Sequence, residues 1–373
     1  MKRSSLNHAP SRFARGVSSG SLCRAAALLA LGAVCLATSP AHAVTIDWVT
    51  VGNAGNANDT TGYGAVGYEY QIGKYEVTIQ QYTDFLNAVA KNDPYELWHA
   101  WMGINSFTSG ISRAGAPGSY VYSVMTASGS APYGGVSNGN RPISFVQWWD
   151  AARFANWMQN GQGSGSTETG AYTLNGATSG TAPAKNAGAQ FYIPTENEWY
   201  KAAYYSPLLN GGAGGYRQFA TEEFPGNTIG SGSNQANYRA LGLVEGTYQQ
   251  LYSVTQSAST SSGQNYLTDV GAFTNSASYY GTFDQGGNVE EWNDLDGSAS
   301  TSRGFRGGTW ASTSYELSRN GRDQNDASFN LGGSRGFRLA SPIAAVPEPS
   351  TWAMGLVGIA CGGFSMWRRR KRA

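Results

Sequence analysis

Gly287-Asn288-Val289-Glu290-Glu291-Trp292 is followed by Arg306-Gly307-Gly308-Thr309-Trp310 and then by Gly336-Phe337-Arg338. Charge gathers around these segments, at Arg303, Arg306, Arg319, Arg322, Asp323, Arg335 and Arg338. The planar fork of arginine suits a cleft for an anionic or hydroxyl-rich ligand. Ser312, Tyr315, Arg319, Arg322 and Asp323 are the candidate lining residues of such a cleft. The same arginines also suit a structural task, stapling irregular loops through carboxylates and carbonyls, and that reading is favoured. Glu290-Glu291 and Asp294 with Asp296 bring carboxylates close in sequence, as glycoside hydrolysis needs when the pair is held ~5–10 Å apart. Such pairs also occur by chance in any acidic loop, so no catalytic residue is assigned.

Working outward, Asp47 to Ile72 alternates apolar and polar residues around glycine and asparagine turns and predicts short strands. Thr78-x-x-Gln81 is a capping box, and Ile79, Tyr82, Phe85, Leu86 and Val89 form one helical stripe behind it. Ser106 to Asn140 reads as loops. A second box, Ser144-x-x-Gln147, predicts a helix to Met158 that is buried on most sides. Gly161 to Gly188 reads as a polar surface excursion. Pro194-Thr195-x-x-Glu198 caps a third helix through Tyr205, and Ser206 to Ser278 shows no sustained periodicity. Ser-Arg-Gly-Phe-Arg occurs at 302–306 and again at 334–338, between differing flanks, and reads as coincidence. Such a loop-rich chain predicts one irregular α+β domain, not a wound sheet with long helices.

Composition narrows the chemistry. Residues 44–345 hold 15 basic and 23 acidic residues, a formal net charge of −8, although the whole chain reads +1. An acidic domain is repelled by polyphosphate, which argues against nucleic acid as a partner. The three cysteines, Cys23, Cys35 and Cys361, all lie outside this segment, and His99 is its one histidine. A thiol nucleophile and a multi-histidine metal site are thereby excluded from it. His99 sits between Trp98 and Trp101 and reads as a packed or surface histidine.

Both ends read as targeting signals. Residues 1–24 are basic and free of acids, Ala25–Ala37 is apolar, and Ala41-His42-Ala43 is a small-x-small site. This predicts a Sec signal peptide over 1–43. Thr351–Trp367 is an uncharged run followed by Arg368-Arg369-Arg370-Lys371-Arg372, which predicts a membrane helix with the domain outside. Val346-Pro347-Glu348-Pro349-Ser350 precedes it. Pro-Glu-Pro, a short helix and an arginine cluster together resemble the PEP-CTERM sorting signal of Gram-negative, biofilm-forming bacteria. The resemblance implies an exosortase as partner, transient anchoring through residues 346–373, and release to the cell surface or matrix.

The internal landmarks also add up. Gly73-Lys74-Tyr75-Glu76-Val77-Thr78, Arg141-Pro142-Ile143-Ser144 and Ile193-Pro194-Thr195-Glu196-x-Glu198-Trp199 precede the three segments quoted first. Their order and spacing resemble the sulfatase-modifying-factor family, which includes the formylglycine-generating enzymes. The family's fold is an irregular α+β domain related to C-type lectins, and in its pattern Arg338 looks like a buried clamp. The resemblance implies structural calcium at Asn288, Glu291 and the Val289 carbonyl, donors of the hard type that calcium takes. Asn237-Tyr238 resembles a second calcium segment, with Asp269 a loose acidic partner.

One departure bears on activity. The formylglycine-generating enzymes resemble one another in a cysteine pair that binds copper after the Arg-Gly-Gly segment. Here Ser312 falls near the first position and Glu316 or Leu317 near the second, and none offers copper a soft thiolate. No copper is therefore expected. The leading expectation is a non-catalytic surface module that binds matrix polysaccharide or serves structurally, with nine tryptophans in residues 44–345 as candidates to stack on sugars. A formylglycine-type oxidoreductase, or an enzyme using other residues of the same cleft, is the alternative.

Overall fold

The computed structural model describes residues 43–129, 134–329 and 334–343. Trp48–Val51 pairs antiparallel with Tyr70–Gly73, and Ala340–Pro342 adds to the other edge of that strand, so the first and last strands described share one small sheet. A four-stranded sheet is built from Glu290–Asn293, Ser302–Arg306, Asp323–Asp326 and Arg335–Gly336. Glu290–Asn293 is its pivot, antiparallel to Ser302–Arg306 on one side and parallel to Arg335–Gly336 on the other. Both Ser-Arg-Gly-Phe-Arg copies thus flank one strand, and Arg306 and Gly336 both register with Glu291.

Among the described residues, three helices of nine residues or more pack against these sheets. Ile79–Val89 starts from Thr78, whose side chain accepts from Gln81 N while Gln81 Oε1 accepts from Thr78 N. It buries Ile79, Tyr82, Phe85 and Leu86, four residues of the expected stripe. Glu196–Tyr204 starts from Thr195 with Glu198 closing the box. The remaining helix, Trp148–Gln159, is buried on nearly all sides. Its cap is not Ser144. Phe145 takes a left-handed φ of 63° that breaks the helical path, and Gln147 caps instead, with Asp150 closing the box.

Two other expectations fail for lack of local signal. Gly161–Gly188 is not a surface excursion: Ala171, Tyr172, Leu174 and Ala182 are buried in the main core. The segments read as loops contain two hairpins, Ile111–Ala114 with Val121–Val124 and Arg239–Val244 with Thr247–Tyr252. Aromatic packing joins the helices to the last motif. Phe154 contacts Tyr82, Phe85, Trp157 and Phe337, the last edge-to-face at 5.4 Å. This irregular arrangement of small sheets and short helices is a loop-rich α+β fold. Among the described residues no helix is long and apolar enough to cross a membrane, and Thr351–Trp367 lies outside them.

Candidate functional site

Around the four-stranded sheet nearly every arginine meets a carboxylate. Arg338 donates from Nε to Glu291 Oε2 at 2.5 Å and from Nη2 to Glu291 Oε1 at 2.6 Å. Its remaining N–H groups reach the carbonyls of Gly73 and Phe283 at 2.9 and 2.8 Å, and Trp199 Nε1 also donates to Glu291. Both residues are fully buried. Burial works against the Arg338 charge, but Glu291, Glu76 and Asp284 attract it more strongly and raise its pKa.

The other acids of the first-quoted stretch are held in the same way. Arg303 lies 3.2 Å from Asp294, which also accepts from Trp148 Nε1 and the Tyr172 hydroxyl. Burial pushes Asp294 up to about 6 against the pull of Arg303. Arg335 lies 3.2 Å from Glu290. Asp296 is exposed and accepts from Ser298, which lowers its pKa. Glu290, Glu291 and Asp294 are each committed to an arginine, which leaves no free carboxylate pair for glycoside hydrolysis in this stretch. His99 stacks on Phe145 and accepts the Trp101 N–H, and its burial lowers its pKa.

The five expected cleft residues do not converge. Arg319 pairs with Asp59 at 3.1 Å and lines a cavity with Tyr205 and Tyr216. Arg322 pairs with Glu196 at 2.7 Å and lines a separate cavity of about 320 Å³ with Tyr63, Asn197 and Asp296. Glu196 Oε1 also accepts from Arg306, so one carboxylate holds two guanidinium groups. Tyr315 is 65% exposed and lines neither cavity. Asp323 lies exposed on the edge strand, where its side chain accepts Gln324 N–H. Ser312 Oγ accepts the Thr309 N–H at 2.9 Å.

The expected calcium ligands also form two separate networks. Asn288 Oδ1 accepts from Asn237 Nδ2 and Thr268 N, both at 3.1 Å, and Asn237 also donates to the Tyr266 carbonyl. Glu291 belongs to Arg338 and Trp199, as above. As arranged, the set does not fit a calcium ion, and a cation there would require Arg338 to release Glu291. Asp269 faces Arg141 at 3.9 Å. Among the described residues no group of three or more acids, histidines or cysteines could hold a metal ion.

Sequence reading missed Asp59, Glu76 and Glu196. Glu196 was visible as the acid inside the Thr195 capping box, in the first helical turn where acids are favoured. Glu76 lies 2% exposed, with neither carboxylate oxygen hydrogen-bonded. Burial and the nearby Asp284 raise its pKa well above the usual range, and burial pushes Asp284 itself to about 6.

Comparison with known proteins gives the family. The sulfatase-modifying factor enzyme 1-like domain matches residues 52–343, and the PEP-CTERM protein-sorting motif matches 345–371. Among solved structures, CarF is 20% identical, covering 80% of this chain and 99% of that one, at TM-score 0.42. Treponema denticola variable protein 1 is 18% identical over 80% and 96%, at 0.45. PvdO from Pseudomonas aeruginosa is 16% identical over 80% and 93%, at 0.36. No curated protein matches the chain. The matched domain spans most of the sequence and the sorting motif follows it directly, so the chain belongs to the sulfatase-modifying factor family and is an exported, surface-directed member processed by an exosortase of a Gram-negative bacterium.

Proposed function

We propose that this chain is a non-catalytic surface module that binds matrix polysaccharide. The observation that carries the reading is the segment after Arg306-Gly307-Gly308. Ser312 holds the Thr309 N–H, Glu316 Oε2 accepts the Thr313 N–H at 3.0 Å, and Leu317 is buried in a small apolar cluster. The positions nearest the family's copper-binding thiols are therefore a turn, a helix cap and a core residue. A redox metal needs soft, deprotonated ligands, and this segment supplies none. What the surface does supply is tyrosine beside amides and paired charges, which suits hydroxyl-rich ligands. The tail then holds the module at the membrane through residues 351–367 until an exosortase acts on it.

The exported protein is passed over a column of the organism's own exopolysaccharide, with calcium and with a chelator. Retention in either condition supports the reading, and retention lost to the chelator adds calcium to it. Passage without delay in both removes its main support. Oxygen uptake with a cysteine peptide and copper would overturn the non-catalytic part.

A further inference from the structure

Away from the charged sheet, the Gly55–Thr60 loop and the turn leading into Tyr216 face each other across a cavity of about 570 Å³. Clefts of roughly 300–1,000 Å³ are the usual size for small-ligand sites. Tyr205 and Tyr216 meet edge-to-face in its wall, 5.2 Å apart at 69°. Bare backbone holds both rings in place. A Cβ on Gly214 would fall 2.2 Å from Tyr205 Oη, and one on Gly64 would fall 2.4 Å from Tyr216 Oη. The aromatic corner is therefore set by glycine before anything binds.

Polar groups ring this corner. Arg319 donates from Nη1 to Asp59 Oδ1 and to the Tyr216 carbonyl, both at 3.1 Å. Asn210 is exposed and spends an amide N–H on the Gly214 carbonyl at 2.8 Å. One guanidinium and one carboxylate leave the cavity without net charge, and the surrounding segment carries −8. A uronate or sulfated chain finds no surplus cation there and is repelled at longer range. A neutral pyranose finds the half-buried Tyr216 ring for its C–H groups, and the exposed Asn58, Thr60 and Asn210 side chains of the lining for its hydroxyls.

We infer that this cavity is a subsite for a neutral hexose unit of a polysaccharide. It rests on the reading that the module binds matrix polysaccharide, and it names the class of sugar and the place. Ala213 lines the cavity and is exposed, so Ala213→Trp fills the space from outside the core. Asn210→Gly keeps the left-handed backbone there, φ 54°, while removing the acceptor. Ser298→Trp fills the separate cavity beside Arg322 and serves as the control.

The exported protein and these variants are measured on immobilised dextran, mannan, galactan and alginate, with circular dichroism to check folding. The expected result is retention on a neutral polysaccharide, weakened about tenfold by Ala213→Trp, less by Asn210→Gly, and unchanged by Ser298→Trp. If Ala213→Trp misfolds, Asn210→Gly alone decides. Neutral binding that survives the cavity variants, or that Ser298→Trp removes instead, overturns the subsite and leaves the polysaccharide reading standing. Binding of alginate alone overturns it as well. Failure on all four polymers and on the native exopolysaccharide overturns both.

Discussion

Arg338 and Glu291 form a two-point ion pair in the interior, and the guanidinium also holds the carbonyls of Gly73 and Phe283. Removing one partner leaves an uncompensated buried charge, which costs about 3–5 kcal/mol. Arg338→Met and Glu291→Gln should each lower stability by that amount in urea unfolding. Arg338→Lys should recover little, since an ammonium cannot donate in two parallel bonds. A loss below about 1 kcal/mol for Arg338→Met would show that the pair is not a clamp.

Stability should fall as pH rises from about 4 to 8. Asp150, Asp284 and Asp294 have folded pKa values raised by burial to about 8, 6 and 6. The folded state therefore holds protons that the unfolded chain releases near pH 4. Their contribution is full below that pH and is lost as pH climbs through each folded value. Urea midpoints at pH 5 should exceed those at pH 8. Asp150→Asn, which keeps an oxygen for the Gln147 N–H, should flatten the slope between 6 and 8. An unchanged slope would refute the assignment to Asp150.

The Thr78 and Thr195 caps should each be worth about 1 kcal/mol when replaced by alanine. Thr195→Ala should cost more than Thr78→Ala, because Glu198 Oε2 also accepts from the Thr195 hydroxyl, at 2.8 Å. Thermal unfolding of both variants checks the order. Equal shifts would mean that this extra bond adds nothing.

Two glycines with similar backbones should respond differently. Gly287 has φ 91°, and a Cβ would sit 2.2 Å from the Asn237 carbonyl oxygen. Gly281 has φ 88°, and a Cβ would meet only Val49 Cγ1 at 3.6 Å. Gly281→Ala should destabilise by about 1 kcal/mol through strain, and Gly287→Ala by considerably more. Comparable losses would mean that the close approach to Asn237 relaxes freely.

Cleavage after Ala43 would make Val44 the first residue, and Gln162 already holds it at two points. Val44 N donates to Gln162 Oε1 at 2.6 Å, and Gln162 Nε2 donates to the Val44 carbonyl at 2.8 Å. Mass spectrometry of the exported protein should find Val44 at the N-terminus. A start several residues downstream would remove this contact and contradict the prediction.

What the sequence made legible was local. The boxes at Thr78 and Thr195 complete themselves within four residues, so spacing alone identified them. Ser144 misled because it shares that spacing, while Phe145 adopts a positive φ that spacing cannot reveal. Arg338 as a buried clamp was readable only through the family pattern, since Glu291 lies 47 residues away. The split of Arg319 and Arg322 between two cavities was not readable at all. Their partners, Asp59 and Glu196, are 260 and 126 residues distant and sit in segments that read as a turn and a cap. The hairpin Arg239–Val244 with Thr247–Tyr252 was obscured because its outward side keeps Leu241, Leu243 and Tyr248 exposed, which blurs the alternation.

The strand Tyr70–Gly73 takes Trp48–Val51 on one edge and Ala340–Pro342 on the other, and Arg338 ties Gly73 to the last motif. Neither the Ala340–Pro342 pairing nor the Arg338–Gly73 bond can form until almost the whole domain has emerged, because each joins residues at least 265 positions apart. Folding dominated by such distant pairings is slow. For a protein made on one side of a membrane and used on the other, that delay is an advantage: an incomplete chain has no finished domain to jam in transit.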